Sequence, residues 1–365
     1  MLKYLGLGSI ACSVVALLTA PAFADAITPS SYSATIGVGG TTTIDKSVLV
    51  SAGTPTSAQA DVYFLSDTTG SMGTTINAVK TGFSSVVTGL SGFGNIAFGA
   101  GEYKDIGDGL PLNSGSYRID QTINTSSALT QTAINGWVAS GGGDTPEQAL
   151  SSLQTASGSS TGWRDGSKKI IVLTGNAPSH DVANPTPAIA GATTTNTGAA
   201  LSAAGVSLEA ANVGDLNGFG QFDGADSVYA HGASGTYFVS LNPANLVSDI
   251  IAAIGSAFAD YNTVTLDLSG VPAGLSAALV PVSYSGAFDR SIDRTFDFDL
   301  TFTGLVPGVY SFSVNALVDG GIIATETDTI TVTGAATVPE PATLSLMAAG
   351  LLGLGLARRR FSSRT

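Results

Sequence analysis

Val62-Tyr63-Phe64-Leu65, followed after Ser66 by Asp67-Thr68-Thr69-Gly70-Ser71, decides how the chain is read. Four consecutive apolar residues have the profile of a short strand buried on both faces. The stretch that ends them carries one carboxylate, three hydroxyls and a glycine, so oxygen atoms gather where the strand stops. Beyond it Ile76, Val79, Phe83, Val86 and Val87 fall at helical spacing. Buried strand, oxygen-rich turn and amphipathic helix form one unit of a doubly wound sheet. In such sheets ligands bind at the carboxyl ends of the strands.

The same alternation continues over residues 60–261. Ile96-Ala97-Phe98, Ile170-Ile171-Val172-Leu173, Val206-Ser207-Leu208-Glu209-Ala210 and Thr236-Tyr237-Phe238-Val239 read as further strands. Helices are expected around Leu129, Ala133 and Trp137, over Ala188–Ala204, and where Leu246, Ile250, Ile251, Ile254 and Phe258 repeat. Another is expected over Pro146–Ala156, with Thr145 as its cap, Pro146 at its first position and Gln148 closing a capping box. The pattern predicts an α/β doubly wound domain.

Both flanks switch to a period of two. Residues 262–335 contain Thr263–Leu268, Thr295–Phe302, Tyr310–Val314 and Thr329–Val332, separated by Gly and Pro turns, which predicts a β-sandwich. Residues 25–59 hold only Ser33–Val38 and Thr43–Val50, with Gly39-Gly40 as the turn between them. Two strands cannot bury a core alone. They are therefore expected to complete the sandwich, with the α/β domain inserted between its parts.

Three loops of the α/β region combine oxygen donors. They are Asp67–Ser71, Gly141-Gly142-Gly143-Asp144-Thr145-Pro146-Glu147 and Gly175-Asn176-Ala177-Pro178. Carboxylates, hydroxyls and an amide without thiolate or imidazole suit Mg²⁺ or Ca²⁺, with Mn²⁺ as a further candidate, and not Zn²⁺. An isolated Asp-x-Thr-x-Ser is read first as a helix cap; three such loops in order favour a cation.

Asp67-Thr68-Thr69-Gly70-Ser71 resembles the Asp-x-Ser/Thr-x-Ser motif of von Willebrand factor A domains. Asp144-Thr145-Pro146-Glu147 is similar to the second metal loop, especially of integrin β subunits, and Lys169–His180 to the third strand and loop. The likeness covers about residues 60–260. It implies a metal-ion-dependent adhesion site in which one coordination position stays open for an acidic group of a partner. Carried over, it gives roles to Asp67, Thr69 and Ser71 and makes Thr145 and Glu147 candidates, of which only one need bind directly. Asn176 stands where the family usually has an aspartate, so the site loses one negative charge. Asp144 and Asp105, the latter within Glu102-Tyr103-Lys104-Asp105, are expected at the rim or behind the ligands.

The ends carry an address. Lys3, the apolar stretch Leu5–Leu18 and Ala22-Phe23-Ala24 form an expected signal peptide over residues 1–24. Cys12 lies within it, so no disulfide framework supports the fold. Over 338–365, Pro339-Glu340-Pro341 precedes the apolar run Ala342–Ala357, and Arg358-Arg359-Arg360 follows. This order resembles the PEP-CTERM sorting signal of Gram-negative bacteria. The likeness implies transient anchoring in the inner membrane, cleavage by an exosortase and delivery to the cell surface or extracellular matrix.

The formal net charge is −13. It argues against nucleic acid and for divalent cations. His180 and His231 are isolated in sequence, with no nucleophile–base set around them, so an enzyme is not expected. The leading expectation is an exported adhesion protein that binds a protein or polysaccharide-matrix partner through its metal. The alternatives are a structural matrix protein with a vacant or stabilising site and, last, a metal-dependent hydrolase.

Overall fold

The computed structural model describes residues 24–110, 116–143, 145–181, 191–334 and 346–354. In chain order the α/β unit consists of β4 (Ala58–Asp67), α1 (Gly73–Leu90), β5 (Gly94–Tyr103), β6 (Tyr117–Asn124), α2 (Ser127–Asn135), α3 (Ala149–Ala156), β7 (Lys168–Gly175), α4 (Thr194–Ala204), β8 (Val206–Asn212), β9 (Ser234–Val239) and α5 (Leu246–Ser256). Before it come β1 (Ala26–Thr28), β2 (Ser31–Gly37) and β3 (Thr41–Val50). After it come β10 (Asp260–Asp267), β11 (Leu275–Val280), β12 (Ser283–Asp289), β13 (Arg294–Gly304), β14 (Gly308–Val318) and β15 (Gly321–Thr333).

The central sheet has the order β6-β5-β4-β7-β8-β9. Its strands are parallel except β6, which runs antiparallel to β5. Alternation along β4 explains why both faces are covered. Val62 and Phe64 pack with Ile76, Val79 and Phe83 of α1 and Ile250 of α5. Tyr63 and Leu65 pack with Leu150 and Leu153 of α3 and Leu201 of α4. The chain leaves β4 toward β5 on one side and returns to β7 on the other. The turns after β4 and β7 therefore open away from each other, leaving a crevice at the switch point.

The remaining strands form two sheets, β1-β3-β13-β11 and β12-β10-β14-β15-β2, around a core that includes Val48, Phe298, Phe302, Val314 and Ile330. β3 pairs antiparallel with β13, and β2 lies parallel to β15. The chain thus enters both sheets before the α/β unit begins. Gly39-Gly40 does not close a hairpin. It crosses from one sheet to the other, and Val38 and Gly39 donate to Thr333 O and Gly304 O on opposite sides. Gly39 has φ +77, a conformation that favours glycine.

Several boundaries differ from the sequence reading. The sheet strand β4 begins at Ala58 and the sandwich resumes at Asp260, each two residues outside the expected limits 60 and 262. The helix expected from Pro146 begins at Ala149, with Gln148 at its N-cap position and no side-chain cap hydrogen bond. The reason is tertiary. Glu147 N–H donates to Pro178 O at 2.9 Å and Glu147 O accepts from His180 N–H at 2.7 Å, so the backbone there is extended beside the third loop. The sequence reading does not contain β1, β6, β11 or β12. All four are sheet-edge strands, and Ser, Ala and Gly dilute the apolar alternation of β11 and β12.

Residues 346–354 form an exposed helix. Among the described residues no helix is long and apolar enough to cross a membrane. Residues 1–23 of the expected signal peptide (1–24), and Pro339, Glu340, Pro341 and Arg358–Arg360, lie outside the described residues.

Candidate functional site

β4 delivers Asp67 as its last residue, fully buried. Asp67 Oδ1 accepts from the Thr69 N–H at 2.8 Å, which folds the turn back over the strand end. Among the described residues Asp67 Oδ2 and the buried Thr69 Oγ1 have no hydrogen-bond partner. Ser71 opens the next turn with its side chain exposed. From β7, Asn176 reaches across the crevice, and its Nδ2 donates to Ser71 Oγ at 2.9 Å.

The second loop is stitched to the first. Gly70 N–H donates to Gly141 O and Ser140 N–H to Thr68 O. Lys104, on the residue after β5, donates Nζ to Thr68 O at 2.6 Å, to Val138 O at 3.3 Å and to Ser140. Thr68 itself donates to Glu102 at 2.6 Å, and Glu102 pairs with Arg118. Gly142 must stay small. A Cβ there would lie 2.6 Å from Thr69 Cβ, and its φ is +69. Its N–H donates to Asp108 Oδ2 at 2.7 Å, a contact that the sequence reading missed because Asp108 sits in a plain Gly-rich turn.

Glu147 is 2% exposed, and among the described residues its Oε2 has no hydrogen-bond partner. Thr145, by contrast, is exposed. Asp144 lies outside the described residues. Asp105 is buried and accepts from Ile106 N–H and, at 3.3 Å, from Gln148 Nε2; His180 Nε2 lies 3.3 Å from the same oxygen. The Asp215, Asp223 and Asp226 loop is a separate feature. Asp226 is exposed and pairs with His231.

The electrostatics are those of carboxylates held away from water. Burial raises the Asp67 carboxyl to about 6, against the lowering pull of Thr69 and Lys104. Burial raises Glu147 to about 9, with the charges of Asp67, Asp105 and Asp108 adding to the effect. The Thr69 hydroxyl is near enough to lower both carboxyls but stands outside hydrogen-bond geometry to either. The Tyr103 hydroxyl, also buried, likewise lacks a hydrogen-bond partner among the described residues. Among the described residues no three His, Cys, Asp or Glu side chains form a metal-binding group. The donors that meet here are two carboxylates, two hydroxyls and an amide, which is a hard-oxygen set.

Residues 337–360 match the PEP-CTERM protein-sorting motif, which implies exosortase processing and export to the Gram-negative cell envelope. No curated protein matches the chain. Among solved structures the chain is similar to a von Willebrand factor type A protein from Catenulispora acidiphila. The TM-score is 0.42 at 14% identity, over 85% of this chain and 72% of that one. It is also similar to the pilus adhesin SpaC from Lactobacillus rhamnosus GG, with TM-score 0.39 at 11% identity over 80% of this chain and 45% of that one. Proximal thread matrix protein 1 from the mussel byssus aligns with TM-score 0.40 at 13% identity, over 58% of this chain and 48% of that one. The chain thus spans about half the length of the last two.

Proposed function

We propose that this chain is an exported, non-enzymatic binding protein that grips a protein or polysaccharide-matrix partner through a divalent cation, Mg²⁺ or Ca²⁺, at the crevice between β4 and β7. The observation that carries the reading is the trio of buried oxygens without hydrogen-bond partners among the described residues, Asp67 Oδ2, Thr69 Oγ1 and Glu147 Oε2. Buried polar atoms are almost always satisfied, and leaving one unpaired costs about 1–3 kcal/mol. A hard cation would satisfy all three at once and neutralise two carboxylates that burial otherwise drives toward protonation.

Asp67, Thr69, Ser71, Glu147 and Asn176 would hold the ion. Thr145 is the lesser candidate because Glu147 is buried while Thr145 faces solvent. A bound cation would supply an electrophilic position for an acidic group of the partner, and Asn176 in place of a carboxylate would leave it more electrophilic. Lys104 would keep the first and second loops in register from behind. Recovery of partners by the purified chain from extracellular matrix tests the proposal. Recovery should vanish with chelator and return with excess Mg²⁺ or Ca²⁺; recovery indifferent to chelator would reject it.

One observation favours the second reading, a matrix-structural protein whose site is vacant or only stabilising. Asn176 and Ser71 satisfy each other at 2.9 Å without any ion. Thermal stabilisation by cation with no cation-dependent partner would select that reading.

A further inference from the structure

Far from the crevice, the sandwich core holds an ionic cluster. Lys46 of β3 faces Glu326 and Asp328 of β15, and the side chains of all three are fully buried. Lys46 Nζ lies 2.5 Å from Glu326 Oε1 and 3.1 Å from Asp328 Oδ1. Among the described residues Glu326 Oε2 and Asp328 Oδ2 find no hydrogen-bond donor. The setting is aromatic: the Tyr32 ring centroid is 5.8 Å from Nζ, Phe298 is the register partner of Lys46 and Phe312 that of Asp328. As a simple salt bridge this is poorly built, because one ammonium serves two buried carboxylates and two of their oxygens find no donor among the described residues.

We propose that Lys46 and Asp328 condense to an intramolecular amide, with Glu326 relaying the proton, so that one covalent bond joins the two sheets of the sandwich. The step balances without an outside reagent. A proton passes from Nζ to the Asp328 carboxyl, leaving both groups neutral. The Nζ lone pair adds to Cγ of Asp328. Glu326 takes the second proton from nitrogen and hands its own to the departing hydroxyl. The C–O bond breaks, water leaves, and Glu326 ends as it began. Burial raises the Glu326 carboxyl, which keeps a proton at hand for this relay. Fixing amine and acid in contact replaces a bimolecular encounter with an intramolecular one, an advantage worth about 7–11 kcal/mol in well-oriented cases.

The position of the bond gives it a purpose. Lys46 lies just before the α/β unit, which begins at Ala58, and Asp328 just before Thr333, where the sandwich ends. With the bond formed, tension between the α/β crevice and the C-terminal segment runs through residues 46–58, the amide and residues 328–333. The other sandwich strands are spared the load.

Proteolysis of the folded full chain followed by peptide mass spectrometry tests the proposal. The wild type should yield the Lys46 and Asp328 peptides joined, lighter than their sum by one water. Lys46→Arg should yield no joined peptide, and Glu326→Gln should slow joining by at least about 10², the low end of what a proton relay contributes. Separate, unmodified Lys46 and Asp328 peptides from folded wild-type protein would overturn the proposal, and this digest decides even if a variant fails to fold. Undiminished joining in Glu326→Gln would overturn the relay.

Discussion

Asp67 and Glu147 concentrate the chemistry of the crevice into two side chains whose carboxyls burial raises to about 6 and about 9. A carboxyl whose folded pKa is raised adds stability below the ordinary carboxyl range, and that stability is lost as pH climbs through the raised value. The metal-free chain should therefore melt progressively lower between about pH 5 and about pH 9. Mg²⁺ or Ca²⁺, which requires the ionised form, should offset the loss most at the alkaline end. Melting curves in chelator and in cation check this; a flat chelated profile would contradict it. Glu147→Gln should raise the chelated melting point at alkaline pH, by a few degrees for a gain of about 1–3 kcal/mol, and abolish the cation response. Asn176→Asp should bind cation more tightly by restoring a carboxylate; weaker binding in a titration would remove Asn176 from the ligand set. The turn that carries Asp67, Thr69 and Ser71 was legible in sequence because it follows a buried strand. Which of Thr145 and Glu147 is buried was not, because tertiary pairing beside the third loop decides it.

At the scale of elements, β4 and α1 follow directly from apolar runs and helical spacing, and their side chains occupy the faces those periods imply. The second loop does not. Glu147 is held extended by pairing with Pro178 and His180, residues that sequence spacing alone cannot bring alongside it. The same holds for β11 and β12, whose strand character comes from neighbours at a sheet edge and not from their own alternation. The loop's tolerance can be tested at Gly142. Gly142→Ala places a Cβ against Thr69 in a left-handed conformation. It should cost about 1–2 kcal/mol in stability and weaken cation binding at least about tenfold. Unchanged binding by calorimetry would show that the second loop does not shape the site.

At the scale of the whole molecule, the sandwich frames the α/β unit at both ends. β1, β2 and β3 enter its two sheets before Ala58, and β10 to β15 complete them after the unit closes. The alternation of residues 33–50 showed that strands were present and needed a partner, but which sheet each joined was set by long-range pairing with β13 and β15. Val48 is fully buried in this shared core. Val48→Asp should destabilise the sandwich by more than about 3 kcal/mol, leaving a buried charge without a partner. Hydrogen exchange should then show early opening of 260–333 while the α/β unit retains its cation response. Simultaneous loss of both would mean that the two units fold as one.

The most direct measurement is calorimetric titration of the purified chain with Mg²⁺ and with Ca²⁺, beside Asp67→Ala. The account predicts binding of one ion by the wild type and none by the variant, with the variant still folded by circular dichroism. Equal heats from the two proteins, or no binding by the wild type at about pH 8, where ionisation and cation binding are linked, would contradict it.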